Sequence, residues 1–265
     1  MPEPVRRSSK VARVNKPLLL GRSLNAAVDL FNRNPWTERR LELVPRNDAP
    51  FYAEDGLWTY HGHSFVEDPR FAAAYRRAKQ ATGADYCVRW RVHTILWAAQ
   101  RAAGLDGAFV ECGTGRGFMA SAICQYLDWG DRPFYLYDTF LPTFPDERGE
   151  QSQSGPAEPV YAAGPDPVAR NFAEWPGVQL VVGKVPDTLL DTQPVAFLHV
   201  DFNHPAAEEA AVRHFWPRLT PGAPMIFDDY GYDGFEAQRE AADRLSEELE
   251  FSILALPTGQ GLVLR

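Results

Sequence analysis

Three aspartates follow two apolar runs of the chain in which buried strands are expected. Asp201 directly follows the run AFLHV, and Asp228 and Asp229 directly follow PMIF. If these runs are neighbouring parallel strands, the three carboxylates meet at the carboxyl edge of one sheet. Buried like charges raise one another's pKa values unless a cation compensates for them. Carboxylate oxygens are the ligands that Mg²⁺ prefers, so the pattern predicts a site for Mg²⁺ or another divalent cation. The alternative for Asp228 is a helix N-cap, because DDYG precedes a helical stretch.

A histidine close to the first of these aspartates adds a candidate base. A cation that binds a hydroxyl oxygen lowers the pKa of that hydroxyl, and a base must then accept the proton. His204 lies in the loop after Asp201, and the ordinary histidine pKa of about 6.5 suits this task. Asp201 itself is the alternative base. A surface position beside Pro205 is the alternative to a catalytic role for His204.

A glycine-rich turn, ECGTGRG, follows the apolar run AFVEC and precedes a helical stretch. Gly113, Gly115 and Gly117 leave one edge of the turn without side chains, so a nucleotide-like ligand fits there. A dinucleotide cofactor and S-adenosylmethionine both remain open at this point. Glu111 is a poor neighbour for a pyrophosphate, and it favours S-adenosylmethionine, which has no phosphate and carries an ammonium and a sulfonium group.

A fourth aspartate supports an adenosine site without choosing between the two cofactors. Asp138 ends the run FYLYD, and a carboxylate at that place accepts hydrogen bonds from both ribose hydroxyls. Thr114 in the glycine turn and Thr139 after Asp138 are further candidates for cofactor binding. Gly183 follows VQLVV, near the expected position of the adenine, and a plain turn glycine is its alternative.

The elements that must position these residues are short apolar runs that alternate with helical stretches from residue 85 onward. Strands are expected at 108–112, 134–138, 178–183, 196–201 and 224–229, and helices at 117–128, 166–174, 206–217 and 233–249. Continuous apolar strands separated by helices indicate a parallel sheet covered on both faces. The runs FSILALP and LVLR, joined by TGQG, predict a C-terminal antiparallel hairpin. The fold class is therefore α/β, with a seven-stranded, mostly parallel sheet and helices on both faces.

The terminal hairpin discriminates between the two cofactors. An antiparallel hairpin at the end of the sheet is a feature of the class I methyltransferase fold and not of the dinucleotide-binding fold. Six segments then occur in order: ECGTGRG, YDTFLPTFPD, VVGKVPDTL, HVDFNHP, RLTPGAPMIFDDYG and PTGQG. Together they resemble the macrocin-type sugar O-methyltransferases over residues 108–265. The resemblance implies S-adenosylmethionine, a divalent metal that is usually Mg²⁺, and methyl transfer to a sugar-type hydroxyl. By motif, the family's metal ligands match Asp201, Asp228 and Asp229.

The sequence departs from this family at the acceptor side. The macrocin-type motif D-x-D-x-Y-E is replaced by Asp201, Asn203, His204 and Pro205. A small molecule or a glycan remains the expected acceptor, with a sugar hydroxyl favoured and a catechol-like diol or a polyketide hydroxyl as alternatives. A nicotinamide-dependent oxidoreductase and a catalytically silent methyltransferase-like binding protein are the alternative functions. Relatives often associate, so a homo-oligomer is possible.

The chain divides into three expected segments. Residues 1–28 are rich in arginine and lysine and form a flexible basic tail, with a targeting segment as the alternative. Residues 29–84 form an aromatic-rich extension that either caps a pocket or packs against the rest, and a helix is expected at 69–81. Residues 85–265 form the S-adenosylmethionine-binding domain. Within it, the polar segment 141–165 is a candidate lid.

Charge, cysteine content and hydropathy indicate which partners and which compartment are expected. The net charge of −8 argues against nucleic acid as a partner, because phosphate binding needs a basic face. Three cysteines without metal-type spacing predict a reducing compartment, hence the cytoplasm. No run of about 18 apolar residues occurs, so no membrane span is expected.

Overall fold

The computed structural model describes residues 52–59, 61–141, 164–192 and 194–265. The strands are β1 (Tyr52–Glu54), β2 (Leu57–Thr59), β3 (Ala108–Cys112), β4 (Phe134–Asp138), β5 (Val178–Val182), β6 (Val195–Val200), β7 (Pro224–Phe227), β8 (Leu254–Ala255) and β9 (Gly261–Leu264). The helices are α1 (Pro69–Thr82), α2 (Arg89–Ala102), α3 (Phe118–Leu127), α4 (Pro165–Asn171), α5 (Pro205–Phe215) and α6 (Glu236–Leu249). Short 3₁₀ helices lie at Ser64–Glu67 and Trp216–Arg218.

A seven-stranded sheet organises the protein, with the order β5-β4-β3-β6-β7-β9-β8. The strands from β5 to β7 pair in parallel, and β9 pairs antiparallel with both β7 and β8. The predicted mostly parallel sheet with a C-terminal antiparallel hairpin is therefore confirmed. The carboxyl ends of β3, β4, β6 and β7 meet at one edge, and every predicted site residue of the sheet lies at or near that edge.

Hydrophobic packing covers both faces of this sheet. Helices α1, α2 and α3 pack on one face, where the buried ring of Phe109 contacts Phe134 and Phe197. Helices α5 and α6 pack on the other face, around Leu198, Met225 and Phe215. Because successive side chains of a strand point to opposite faces, Glu111 and His199 share the face of Phe109 and Phe197.

The strand expected at 251–257 is shorter than the sequence indicates. Only Leu254–Ala255 pairs with β9, whereas the ring of Phe251 packs on Trp216, with 4.6 Å between ring centroids. Tertiary packing therefore takes the first residues of the run out of the ladder. The helix expected at 166–174 ends at Asn171, and that expected at 233–249 begins at Glu236.

Helix α1, which precedes residue 85, shares the core of the predicted domain. Helix α1 confirms the helix expected at 69–81, and its Phe71, Tyr75 and Ala78 are buried in the same cluster as α2 and α3. This packing supports the extension hypothesis for α1, while a capping role for residues 29–84 stays a prediction. The tail at 1–28 and most of the segment at 141–165 lie outside the described residues. Every described helix is too short or too polar to cross a lipid bilayer.

Candidate active site

A buried histidine–carboxylate pair lies on β3 and β6, near the edge where the carboxyl ends of the parallel strands meet. Glu111 on β3 and His199 on β6 are register partners, and His199 Nδ1 lies 3.1 Å from Glu111 Oε1. Both side chains are buried. Burial raises the pKa of Glu111, and His199 partly offsets this effect. Burial lowers the pKa of His199, but the carboxylates of Asp228 and Glu111 outweigh it and raise this pKa to about 10.

Asp201 and Asp228 meet this histidine at the ends of β6 and β7. One ligand atom each from His199, Asp201 and Asp228 lie within 4.8 Å of one another. Burial and the neighbouring Asp228 and Asp229 carboxylates raise the pKa of Asp201 well above its usual range. Buried His199 Nε2 has no hydrogen-bond partner in the described part of the chain. Two carboxylates and an unsatisfied nitrogen fit a divalent cation, so the residues present are compatible with the predicted metal.

A buried arginine holds the two consecutive aspartates. Arg91 Nη1 on α2 donates to Asp228 Oδ2 at 2.6 Å and to Asp229 Oδ1 at 3.1 Å, and Nε donates to Asp55 Oδ2 at 2.6 Å. The Arg91 charge and the contact with His199 overcome burial and lower the pKa of Asp228. Burial and Asp228 raise the pKa of Asp229 to about 6. Asp229 therefore contacts the arginine, and its predicted role as a metal ligand stays a prediction.

The C-terminal hairpin contributes a second donor to Asp228. Gln260 is fully buried, and its Nε2 donates to Asp228 Oδ1 at 2.7 Å. Thr258 in turn donates to Gln260 Oε1 at 3.0 Å, which fixes the orientation of the amide. The helix after β7 begins at Glu236 with Phe235 as N-cap, so the N-cap alternative for Asp228 is wrong.

The glycine turn and Asp138 are joined by backbone hydrogen bonds. Gly115 N donates to Asp138 Oδ2 and Phe140 N donates to Asp138 Oδ1, each at 2.7 Å. Burial raises the pKa of Asp138, although these donors oppose the effect. The carboxylate is thereby fixed at the end of β4, and each oxygen keeps a lone pair for a further donor. Buried Thr114 Oγ1 and Glu111 Oε2 have no hydrogen-bond partner among the described residues, so the turn offers unsatisfied polar atoms to a ligand.

Two of the turn glycines are required by close packing. A Cβ atom at Gly113 would lie 1.9 Å from the Asp201 carbonyl oxygen, and one at Gly117 would lie 2.7 Å from the Phe172 ring. Both residues also have positive φ angles, of 91° and 85°. The backbone of the turn therefore touches the backbone at the end of β6, and the candidate cofactor turn adjoins the carboxylate cluster.

We expect Gly113→Ala to destabilise the protein by about 3 to 5 kcal/mol, because it adds an atom against backbone at a positive φ. Calorimetry should show a melting temperature roughly 10 °C lower. Gly104→Ala is the matched control, since a Cβ there meets nothing within 4 Å. Equal melting temperatures for the two variants would contradict the close approach.

The other predicted residues have local structural contacts. His204 is the N-cap of α5, and its Nδ1 accepts from Ala207 N at 3.4 Å. Thr139 Oγ1 accepts from Leu141 N at 3.3 Å. A Cβ at Gly183 would lie 2.4 Å from the Thr188 methyl group, so local packing requires this glycine. These contacts leave the predicted cofactor and base roles of the three residues as predictions.

Sequence reasoning missed three members of the site: Arg91, His199 and Gln260. A signal existed for His199, because a histidine interrupts the apolar strand AFLHV. Arg91 lies on the buried side of α2 with Ile95 and Ala98, where a charged residue is unusual. For Gln260 the only sequence signal was its position in the TGQG turn, and that position does not indicate a buried side chain.

Comparisons with known proteins agree with this geometry. Residues 110–230 match a family model described as "Methyltransferase domain". No curated protein sequence matches the chain. The O-methyltransferase NovP is 20% identical, with a TM-score of 0.59, over 76% of this chain and 98% of that chain.

Two further solved structures share the fold. CalS11, described as a TDP-rhamnose 3′-O-methyltransferase of calicheamicin biosynthesis, is 14% identical over 73% of this chain and 93% of that chain, with a TM-score of 0.50. An O-methyltransferase from Bacillus cereus, in complex with SAH, is 16% identical over 76% and 96%, also with a TM-score of 0.50. The predicted fold is thereby confirmed, and the predicted enzyme class agrees with these matches: residues 110–230 match a methyltransferase domain, and the sheet has the class I O-methyltransferase fold.

Proposed function

We propose that the protein transfers the methyl group of S-adenosylmethionine to a hydroxyl of a small molecule or glycan, with a divalent cation at the carboxylate edge. The observation that carries this proposal is the contact between the glycine turn and the end of β6. Asp201 N donates to Cys112 O at 2.7 Å, and the Gly113 backbone abuts the Asp201 carbonyl. A ligand on the turn therefore lies beside the carboxylates that would receive an acceptor hydroxyl.

The cofactor would occupy the turn between β3 and α3. Asp138 would bind the ribose hydroxyls, and the unsatisfied Thr114 hydroxyl and Glu111 oxygen offer polar contacts at the turn. Gly115 fixes the Asp138 carboxylate, and Thr139 and Gly183 are the proposed neighbours of the adenosine. When bound, S-adenosylmethionine supplies an electrophilic methyl group on its sulfonium.

The residues of the carboxylate edge would orient the acceptor and accept its proton. Asp201, Asp228 and Asp229 are the proposed cation ligands, and a cation there would supply Lewis-acid activation of the acceptor hydroxyl. Asp201 is the proposed base, because its backbone adjoins the glycine turn and its carboxylate therefore lies where an acceptor hydroxyl would meet the cofactor. His204 is the alternative base, with its Nδ1 engaged at the start of α5.

A sugar-type acceptor is favoured within this proposal. The sequence resemblance to macrocin-type enzymes and the acceptor named for CalS11 both support it. Asn203, which replaces a second acid of the macrocin motif, has a left-handed backbone with φ of 56°. The missing acid is a difference from the macrocin motif, and a catechol-like diol or a polyketide hydroxyl remains the alternative acceptor.

Calorimetric titration with S-adenosylhomocysteine tests the proposal, in Mg²⁺ and in EDTA. We expect the wild type to bind, and Asp138→Ala to bind roughly 100-fold more weakly, because about two charge-assisted hydrogen bonds are lost. Asp131→Ala is the matched control, since Asp131 is exposed before the opposite end of β4. Absence of binding by the wild type in both media would remove the methyltransferase proposal.

A further inference from the structure

We propose that His199 is a ligand of the active-site cation through Nε2, and that the site therefore takes a first-row transition-metal dication in preference to Mg²⁺. This inference rests on the proposed cation site and deepens it. Neither the sequence motifs nor the resemblance assigns His199 to the metal. The three donors would be one imidazole nitrogen, from His199, and the carboxylates of Asp201 and Asp228.

The Glu111 carboxylate fixes the orientation of the His199 ring through its Nδ1 atom. Glu111 is its register partner on the neighbouring strand, and Glu111 Oε1 lies 3.1 Å from Nδ1. A carboxylate at that distance accepts a hydrogen bond from Nδ1–H, so the neutral imidazole has its lone pair on Nε2. Histidines that bind metals characteristically donate their second nitrogen to a carboxylate in this way. The Glu111–His199 pair therefore has the arrangement of a metal-binding histidine with its supporting acid.

The free nitrogen faces the carboxylate cluster without a partner. His199 is fully buried, and Nε2 has no hydrogen bond with any described residue. It lies 3.5 Å from Asp228 Oδ1, beyond good hydrogen-bond geometry. Two ligands that bind one cation at about 2.1 Å lie roughly 3 to 4 Å apart. The observed separation is the one expected of two ligands that share an ion.

The remaining carboxylate contacts leave a place for this ion. Gln260 occupies one direction at Asp228 Oδ1 and Arg91 binds Oδ2, so Asp228 is held in place from two sides. Asp229 accepts a hydrogen bond from Arg91 and is not a member of the group of three donors, so in this inference His199 takes the place of Asp229 as the third ligand. Asp201 is the partly exposed third member of the group.

The donor set determines the class of cation. Mg²⁺ prefers oxygen ligands in a regular octahedron, whereas an imidazole ligand suits Fe²⁺, Ni²⁺, Cu²⁺ and Zn²⁺, and Mn²⁺ serves here as a spectroscopic probe. The competing explanation is a buried imidazolium that forms ion pairs with Glu111 and Asp228. In that arrangement both nitrogens carry protons, and His199 cannot bind a metal.

Pulsed electron paramagnetic resonance of Mn²⁺ bound to the full-length protein separates these arrangements. We expect a ¹⁴N coupling in the wild type and in the control variant His214→Gln, whose histidine on α5 contacts the Leu190 carbonyl instead. The coupling should be absent in His199→Gln, and calorimetry should show at least a tenfold weaker Mn²⁺ affinity with a smaller change for Mg²⁺. Wild-type protein grown with ¹⁵N-histidine provides the same readout if the variant does not fold, because the ¹⁴N coupling must then disappear.

The possible results distinguish the role of His199, the presence of a cation site and the cofactor site. Bound Mn²⁺ without a nitrogen coupling would overturn the role of His199 and leave the carboxylate site intact. Absence of Mn²⁺ binding would overturn both this inference and the cation in the proposed function. Titration with S-adenosylhomocysteine in parallel reports the cofactor site independently, so a failure of the methyltransferase proposal is visible by itself.

Discussion

Replacing Asp201 with asparagine is expected to lower the rate of methyl transfer by about 1,000-fold or more and to leave the binding of S-adenosylhomocysteine unchanged. The variant keeps the shape of the side chain but removes its negative charge and its capacity to accept a proton. A lost general base alone costs about 100- to 10,000-fold, and a weakened cation adds to that loss. Because Asp201 and the glycine turn meet through backbone atoms, the turn should keep its conformation.

Transfer of a labelled methyl group to a panel of nucleotide sugars measures the rate, and calorimetry measures cofactor binding. His204→Gln is the companion variant, because it removes the alternative base and leaves the charge of the carboxylate cluster unchanged. A larger loss in His204→Gln than in Asp201→Asn would assign proton transfer to His204. Near-wild-type turnover in Asp201→Asn would exclude Asp201 from both roles.

Replacing Arg91 with leucine is expected to destabilise the protein by about 3 to 5 kcal/mol at neutral pH. The substitution leaves Asp55, Asp228 and Asp229 without their shared cation in a buried environment, and an uncompensated buried charge is costly. Thermal unfolding with and without the substitution measures the loss. Arg213→Leu is the control: Arg213 pairs with Glu209 and Glu248 on the surface, and such exposed pairs contribute about 1 kcal/mol or less.

The loss caused by Arg91→Leu should shrink as the pH falls toward 5. In the wild type, Arg91 keeps the folded-state pKa of Asp228 below that of the unfolded chain, so this contribution to stability persists at neutral pH and disappears only in acid. In the variant, the loss of Arg91 raises the folded-state pKa of Asp228, because burial and the facing Asp55, Asp201 and Asp229 are then opposed only by the contacts with His199 and Gln260. A raised carboxyl pKa stabilises the protein below the unfolded value and destabilises it as pH rises. A pH-independent loss would show that Arg91 acts by packing alone.

The sequence was sufficient to place the strands and their polar ends. The apolar runs before Cys112, Asp138, Asp201 and Asp228 are long enough to predict buried parallel strands, and parallel strands necessarily bring their carboxyl ends to one edge. The antiparallel hairpin followed from two apolar runs with a glycine-containing turn. Local chemistry therefore gave the sheet and the acidic edge, because both depend on contiguous residues.

The partners of the acidic residues depend on long-range packing. Arg91 and Gln260 reach Asp228 from α2 and from the hairpin, and no local pattern relates either of them to it. Glu111 was predicted to contact the cofactor. In the structure its Oε1 is hydrogen-bonded to His199 Nδ1, because the register of β3 and β6 pairs the two residues. Register and helix docking fix these contacts, and neither can be deduced from spacing along one chain.

The place of the hairpin in the sheet has a consequence for synthesis of the protein. Strand β9 lies between β7 and β8, and Gln260 precedes it, so Asp228 has no amide donor until this segment has left the ribosome. Helices α1, α2 and α3 emerge much earlier and can associate with β3 and β4 first. The nascent chain thus exposes an incomplete sheet edge at β7 for the time taken to translate α6 and the hairpin. A chaperone that binds unpaired strands would find its target during that interval.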